Sequence, residues 1–243
     1  MDTKPSGTNE TAPIDRYLTP IAVLVGAIII GGALYFGHGT TPGTQQQQAG
    51  NQQQQPSVNI ADVKTAGEPY VGKEDAPVTI AVWLDYQCPV CKMFDESTLA
   101  QVYASYVQTG KVKIVYKTLA FLGPDSKTDA MFGYAVWDLY PDKFYTWLQA
   151  MFEKQDKENE GFGDLASVEA LTKTIPGIDV DKVVARMNEK KSEYEAKLAA
   201  NGQDGVKFGI QGTPSTIVDN QLLMGVIPFD QLSALLDTQL QGK

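Results

Sequence analysis

Trp83-Leu84-Asp85-Tyr86-Gln87-Cys88-Pro89-Val90-Cys91 holds both cysteines of the 243-residue chain, three positions apart. Upstream, Val78, Ile80, Val82 and Leu84 alternate with Thr79, Ala81 and Trp83, and both sets are largely apolar. That pattern predicts a central strand covered on both faces. Downstream, Leu99, Val102, Tyr103 and Tyr106 recur at helical spacing, and Gly110 stands where the helix should stop. Pro89 then falls in the first helical turn, where its missing N–H costs nothing, and Cys88 lies at the helix N-terminus.

Unpaired N–H groups and the helix dipole at that end favour thiolate over thiol. Cys91, one turn on, is within reach of the same sulfur. A stabilised thiolate is a good leaving group, so a disulfide held there passes readily to another protein. A zinc site is disfavoured because it needs about four ligands, and beyond this pair the chain offers only His38, far upstream. A purely structural bridge is disfavoured because so short a loop removes little entropy from the unfolded chain.

Working outward, Val112, Ile114 and Tyr116 alternate with Lys113, Val115 and Lys117, a second strand that strand–helix–strand order makes parallel to the first. Residues 125–208 read mostly helical. Ala130, Tyr134 and Trp137 form one stripe, and Phe144, Trp147, Leu148, Met151 and Phe152 another, with breaks at Glu158–Gly163 and at Ile175-Pro176-Gly177. The charged run from Glu189 to Lys197 reads as a solvated helical face. Two short apolar strands flank Asp219-Asn220, which predicts a hairpin, and Phe229, Leu232, Leu235, Leu236 and Leu240 predict a closing helix. Gly205, Gly209 and Gly212 have the wrong spacing for a dinucleotide loop and read as turns. A net charge of −9 disfavours nucleic acid as a partner, and 43% apolar residues suffice for a core.

The N-terminal quarter has another character. Residues 1–16 are polar, an expected cytoplasmic tail. No charge interrupts residues 17–37, about 21 residues, with Tyr17, Tyr35 and Phe36 at the edges; this predicts a transmembrane anchor. A cleaved signal peptide would have a shorter apolar core and a basic lead. Lys4 and Arg16 precede the run and nothing basic follows until Lys64, which orients the N-terminus to the cytoplasm. Residues 38–60 carry two glutamine runs and predict a flexible tether with a span on the order of 25 Å.

Asp85-Tyr86-Gln87-Cys88-Pro89-Val90-Cys91, followed late by Gly212-Thr213-Pro214-Ser215, resembles the DsbA-like thiol–disulfide oxidoreductases over about residues 61–243. The resemblance implies an α/β thioredoxin-like fold with an inserted helical subdomain at about 125–208, following the one N-terminal transmembrane helix. It implies Cys88 and Cys91 as catalytic residues, supported by Asp85, Pro89, Val90, Thr213 and Pro214. Pro214 is expected to be cis, with Thr213 contacting the client. The implied activity introduces disulfides into secreted or membrane-exposed proteins with free thiols, without cofactor or metal. A membrane-embedded, quinone-linked oxidase is the implied redox partner, and the protein is expected to be a monomer at the cell membrane, its catalytic domain outside. Two features depart from the family. The position six before the first cysteine, often a proton-accepting carboxylate, is Val82, with Asp85 as a substitute or simply a solvated or capping group. Val90 stands where strong oxidases carry histidine, so a less stabilised Cys88 is expected. A reductase or isomerase using the same residues, or a tethered binding module with a structural disulfide, are the alternative readings.

Overall fold

The structure, a computed structural model, describes residues 58–157 and 161–242. The expected tail, the span at 17–37 and nearly all of the linker lie outside the described residues. Among those described, no helix is long and apolar enough to cross a membrane. Val58 and Ile60 pack against the smaller buried cluster, and the Ile60 amide donates to the Asp219 carbonyl at 2.6 Å.

Among the described residues five strands form one sheet in the order β1-β3-β2-β4-β5. They are β1 Tyr70–Val71, β2 Val78–Leu84, β3 Val112–Thr118, β4 Ser215–Val218 and β5 Gln221–Met224. β2 is central: it runs parallel to β3 with Ile80 against Ile114, and antiparallel to β4 with Ala81 against Ile217. Its period-two alternation feeds both layers. Ile80, Val82 and Leu84 enter the larger core, whereas Ala81 and Trp83 join Val63, Phe208 and Ile217 on the opposite face. Asp219 takes the turn of the β4–β5 hairpin with φ 51°.

The helix after the cysteines is not uniform. α1 Pro89–Phe94 and α2 Ala100–Val102 alternate with π turns at Asp95–Leu99 and Tyr103–Val107. The insertion comprises α3 Pro124–Leu139, α4 Phe144–Lys154, α5 Leu165–Thr172, α6 Val180–Glu189 and α7 Lys191–Phe208; α8 Phe229–Gln241 closes the fold. Phe144, Trp147, Leu148, Met151 and Phe152 are all buried, and Leu232 and Leu236 seat α8 on the sheet side of the main core. Two sequence expectations change. The charged run from Glu189 to Lys197 is not one helical face but spans two helices, which meet at Lys190. Gly205 is not a turn but lies inside α7; Gly209, at φ 75°, ends that helix.

Candidate active site at the N-terminus of α1

β2 ends at Leu84 and Asp85 makes the corner. One carboxylate oxygen accepts from the Gln87 amide at 2.9 Å, and the other accepts from the Phe121 and Leu122 amides at 3.1 and 3.3 Å. Asp85 therefore ties the cysteine turn to the segment after β3. It is fully buried, not solvated, and burial raises its carboxyl above the ordinary value despite the three donors.

Cys88 is the N-cap residue, in extended backbone at φ −82° and ψ 116°, with Pro89 opening α1. Its carbonyl accepts from the Cys91 and Lys92 amides. Both cysteines are present as thiols. Cys88 keeps 6% of its surface and Cys91 only 2%, and their chemistry divides accordingly. A hydrogen bond from Cys91, helped by Thr213 and by the Cys91 and Val90 amides, brings the Cys88 thiol down to about 6. Burial, then the Cys88 sulfur, pushes Cys91 up. Cys91 first, then Thr213 and the helix-terminal amides, thus favour ionisation of Cys88 without any histidine at position 90, although burial opposes them.

Thr213 and Pro214 come from the other end of the chain. Their peptide bond is cis, and the Cys88 Sγ donates to the Thr213 carbonyl at 3.6 Å. The Thr213 hydroxyl is buried without a hydrogen-bond partner, and its proximity favours the thiolate form of both cysteines. Val90 is 42% exposed and Met93 56%, so the sulfur is flanked by apolar surface.

The insertion grips this turn from below. The Gln87 amide nitrogen donates to Asp129 Oδ2 at 2.7 Å, both side chains being fully buried, and Gln155 donates to the Tyr86 carbonyl at 2.6 Å. Gly163, at φ 123°, leaves no room for a Cβ beside the Gln87 amide. Burial pushes Asp129 up to about 8, with Asp85, Asp125 and Asp164 adding to the rise. Asp95, on the first π turn, is 3% exposed; one of its carboxyl oxygens has no partner, and burial takes it up to about 7. Val82, six positions before Cys88, is simply core.

On the opposite face of β2 and β3 lies a second buried cluster. Lys117, 1% exposed, donates to Asp204 at 3.0 Å and to the Lys64 carbonyl at 2.7 Å, and sits 3.6 Å from Glu68. Sequence reading missed Gln87, Asp95, Asp129 and this cluster, whose partners lie 87 and 53 positions from Lys117; the one available signal was a lysine in a strand otherwise buried on both faces. Among the described residues no three His, Cys, Asp or Glu side chains converge to hold a metal ion.

A family model described as Thioredoxin matches residues 64–238. Disulfide bond formation protein D of Bacillus subtilis is 30% identical over 183 residues, which span 73% of this chain and 79% of that protein. The crystal structure of oxidised BdbD from Bacillus subtilis has 25% identity and a TM-score of 0.68, over 76% of this chain and 98% of its own. That of the thiol-disulfide exchange protein alpha-DsbA2 from Wolbachia pipientis has 25% identity and a TM-score of 0.64, over 71% and 87%. With two cysteines of opposed acidity at a helix N-terminus and a cis-proline beside them, the chain belongs to the thioredoxin family as a DsbA-like thiol–disulfide oxidoreductase.

Proposed function

We propose that this disulfide-introducing oxidoreductase is anchored through residues 17–37 and oxidises secreted or membrane-exposed proteins outside the cytoplasm. A client thiolate attacks Sγ of Cys88 in the Cys88–Cys91 disulfide. The S–S bond breaks, Cys91 leaves with the electron pair and takes a proton, which its raised pKa favours, and a mixed disulfide forms on Cys88. A second client thiolate then attacks the client sulfur of that mixed disulfide. The client leaves oxidised by two electrons and Cys88 departs as thiolate. A membrane-embedded, quinone-linked oxidase restores the enzyme's disulfide, and the enzyme works as a monomer.

The observation that carries this reading is the split between the cysteines. A Cys88 brought down to about 6 stabilises the reduced enzyme, which makes its disulfide the stronger oxidant. The test has two arms. Cys91→Ser should trap clients as mixed disulfides on Cys88 while Cys88→Ser traps none; trapping through neither sulfur would sink the mechanism. In glutathione buffers the potential should fall among disulfide donors, at about −120 to −180 mV, and a value near about −270 mV would turn the reading to a reductase. Labelling of Cys91→Ser by a membrane-impermeant maleimide in intact cells checks the outward placement.

A further inference from the structure

Two oxygens beneath the cysteine turn are left over. Gln87 Nε2 donates to Asp129 Oδ2 at 2.7 Å, yet Gln87 Oε1 and Asp129 Oδ1 are buried without a partner. Both side chains are fully buried, where an unmatched polar atom is costly. An amide and an ionised carboxylate offer these two atoms nothing, because both oxygens only accept. One proton changes the count. A carboxylic acid joined to a carboxamide by one N–H···O bond has a second oxygen to set against the amide oxygen, and an O–H there closes a ring of two hydrogen bonds.

We propose that Asp129 holds a proton on Oδ1 and donates it to Gln87 Oε1, and that this closed pair is a clasp positioning the turn before Cys88. Asp129 is thereby a positioning residue for attack at the sulfur; the inference rests on the disulfide exchange assigned to Cys88 and adds a control by pH. The groups that bear on Asp129 all disfavour its charge or leave it unmatched. Asp85 at the corner, Asp125 one turn earlier on α3 and Asp164 ahead of α5 are acids, and Tyr86 is a neutral phenol. The seat is also tight. A Cβ on Gly133 would lie 2.9 Å from the Tyr86 hydroxyl, and one on Gly163 would collide with Gln87 Nε2. The turn's other ties respond differently to a lost proton. Asp85 accepts from amides and accepts better when ionised, and the bond from Gln155 to the Tyr86 carbonyl does not titrate. Only the Asp129 clasp opens: its proton passes to solvent, Oδ1 is left charged against the Gln87 oxygen, and one bond remains.

Two measurements on the full chain test this. The first is the infrared C=O stretch of a protonated carboxyl, isolated as the difference between the wild type and Asp129→Asn. It should be present at neutral pH and lost as the pH rises through about 8. The second is the rate at which reduced glutathione attacks the oxidised protein, read as the ratio of wild type to Asp129→Asn. The titrations of glutathione, Asp85 and Asp95 cancel in that ratio. Asparagine closes the same ring with its own amide at any pH, so the ratio should be level below about pH 8 and fall about fivefold above it, the scale of one hydrogen bond. Asp129→Ala cannot close the ring and should be slower than Asp129→Asn at every pH; if it does not fold, the isosteric variant still decides. A missing infrared band would show Asp129 ionised at neutral pH and overturn the clasp, and a ratio that ignores pH would overturn its role in positioning. A wild type that reacts with glutathione at no pH would instead strike at the exchange itself, and the infrared band would still judge the clasp.

Discussion

The two faces of the central strands bury charge in opposite ways. Behind Trp83, Lys117 meets Asp204, Glu68 and a backbone carbonyl, so its charge is matched at close range. Beneath Cys88 and along α1 the buried charged residues are acids, Asp85, Asp129 and Asp95; amides partner Asp85 and a glutamine partners Asp129, and among the described residues no ion pair with a cation is made by any of the three. On the first face Lys117 lowers the Glu68 carboxyl, but burial outweighs it and Glu68 is raised. On the second, desolvation wins and carries Asp95 to about 7 and Asp129 to about 8. The acids carried into the neutral range therefore lie beside the redox pair.

The largest effect should come from breaking the paired face. Lys117→Met leaves Glu68 and Asp204 buried without their cation, and one-sided removal of a buried pair costs about 3–5 kcal/mol. Urea unfolding of the variant should show that loss, while the thiolate absorbance of Cys88 titrates as in the wild type. A shifted Cys88 titration would mean that the two faces are coupled after all.

Asp129 should respond in the opposite sense. Its folded pKa of about 8 lies above the ordinary carboxyl value of 3.8, so the native state holds a proton that the unfolded chain has lost. Its contribution to stability is full below the unfolded value and declines as pH rises through 8. Asp129→Asn can still accept from Gln87 through its amide oxygen but does not ionise. It should flatten that decline and leave the variant more stable than the wild type at pH 8.5, by on the order of 1–3 kcal/mol. A wild-type stability that does not fall between pH 5 and 8 would show that Asp129 ionises freely.

Much of the architecture around the cysteines was legible because its signals are local. A period-two apolar run announced β2, Pro89 after Cys88 announced the start of α1, and Asp219-Asn220 announced the hairpin. β1 escaped notice because two residues carry no period. The buried acids escaped notice for another reason. Asp95 and Asp129 sit in helical sequence like any surface acid, and only the packing of Tyr116 and Tyr145 near one, and of Gln87 beside the other, removes them from water. Gly205 misled because a glycine in sequence suggests a turn, while a Cβ there would make only ordinary contacts with Ile210 and Leu119; nothing around it explains why it is glycine. Asp85 was legible as a corner residue but not as the clasp between two loops, since Phe121 and Leu122 bind it through backbone amides that no side chain encodes.

The smallest expected effect sharpens the difference between the cysteines themselves. In the dithiol, Cys88 folded at about 6 lies below its ordinary value of 9.0, so its contribution to the reduced form is full above 9 and lost as pH falls through 6. The disulfide form has no such group, and the same proton therefore appears in the reduction potential. Below pH 6 two protons accompany two electrons and the potential should fall by about 59 mV per pH unit. Above it, with Cys91 still protonated, one proton remains and the slope should halve to about 30 mV. Thr213→Val removes the hydroxyl that favours the thiolate while keeping the carbonyl and the shape of the side chain, and should move the break upward by roughly half a pH unit, within the strength of one hydrogen bond to a charged group. A break that stays at pH 6 would assign the low pKa of Cys88 to Cys91 and the helix amides alone.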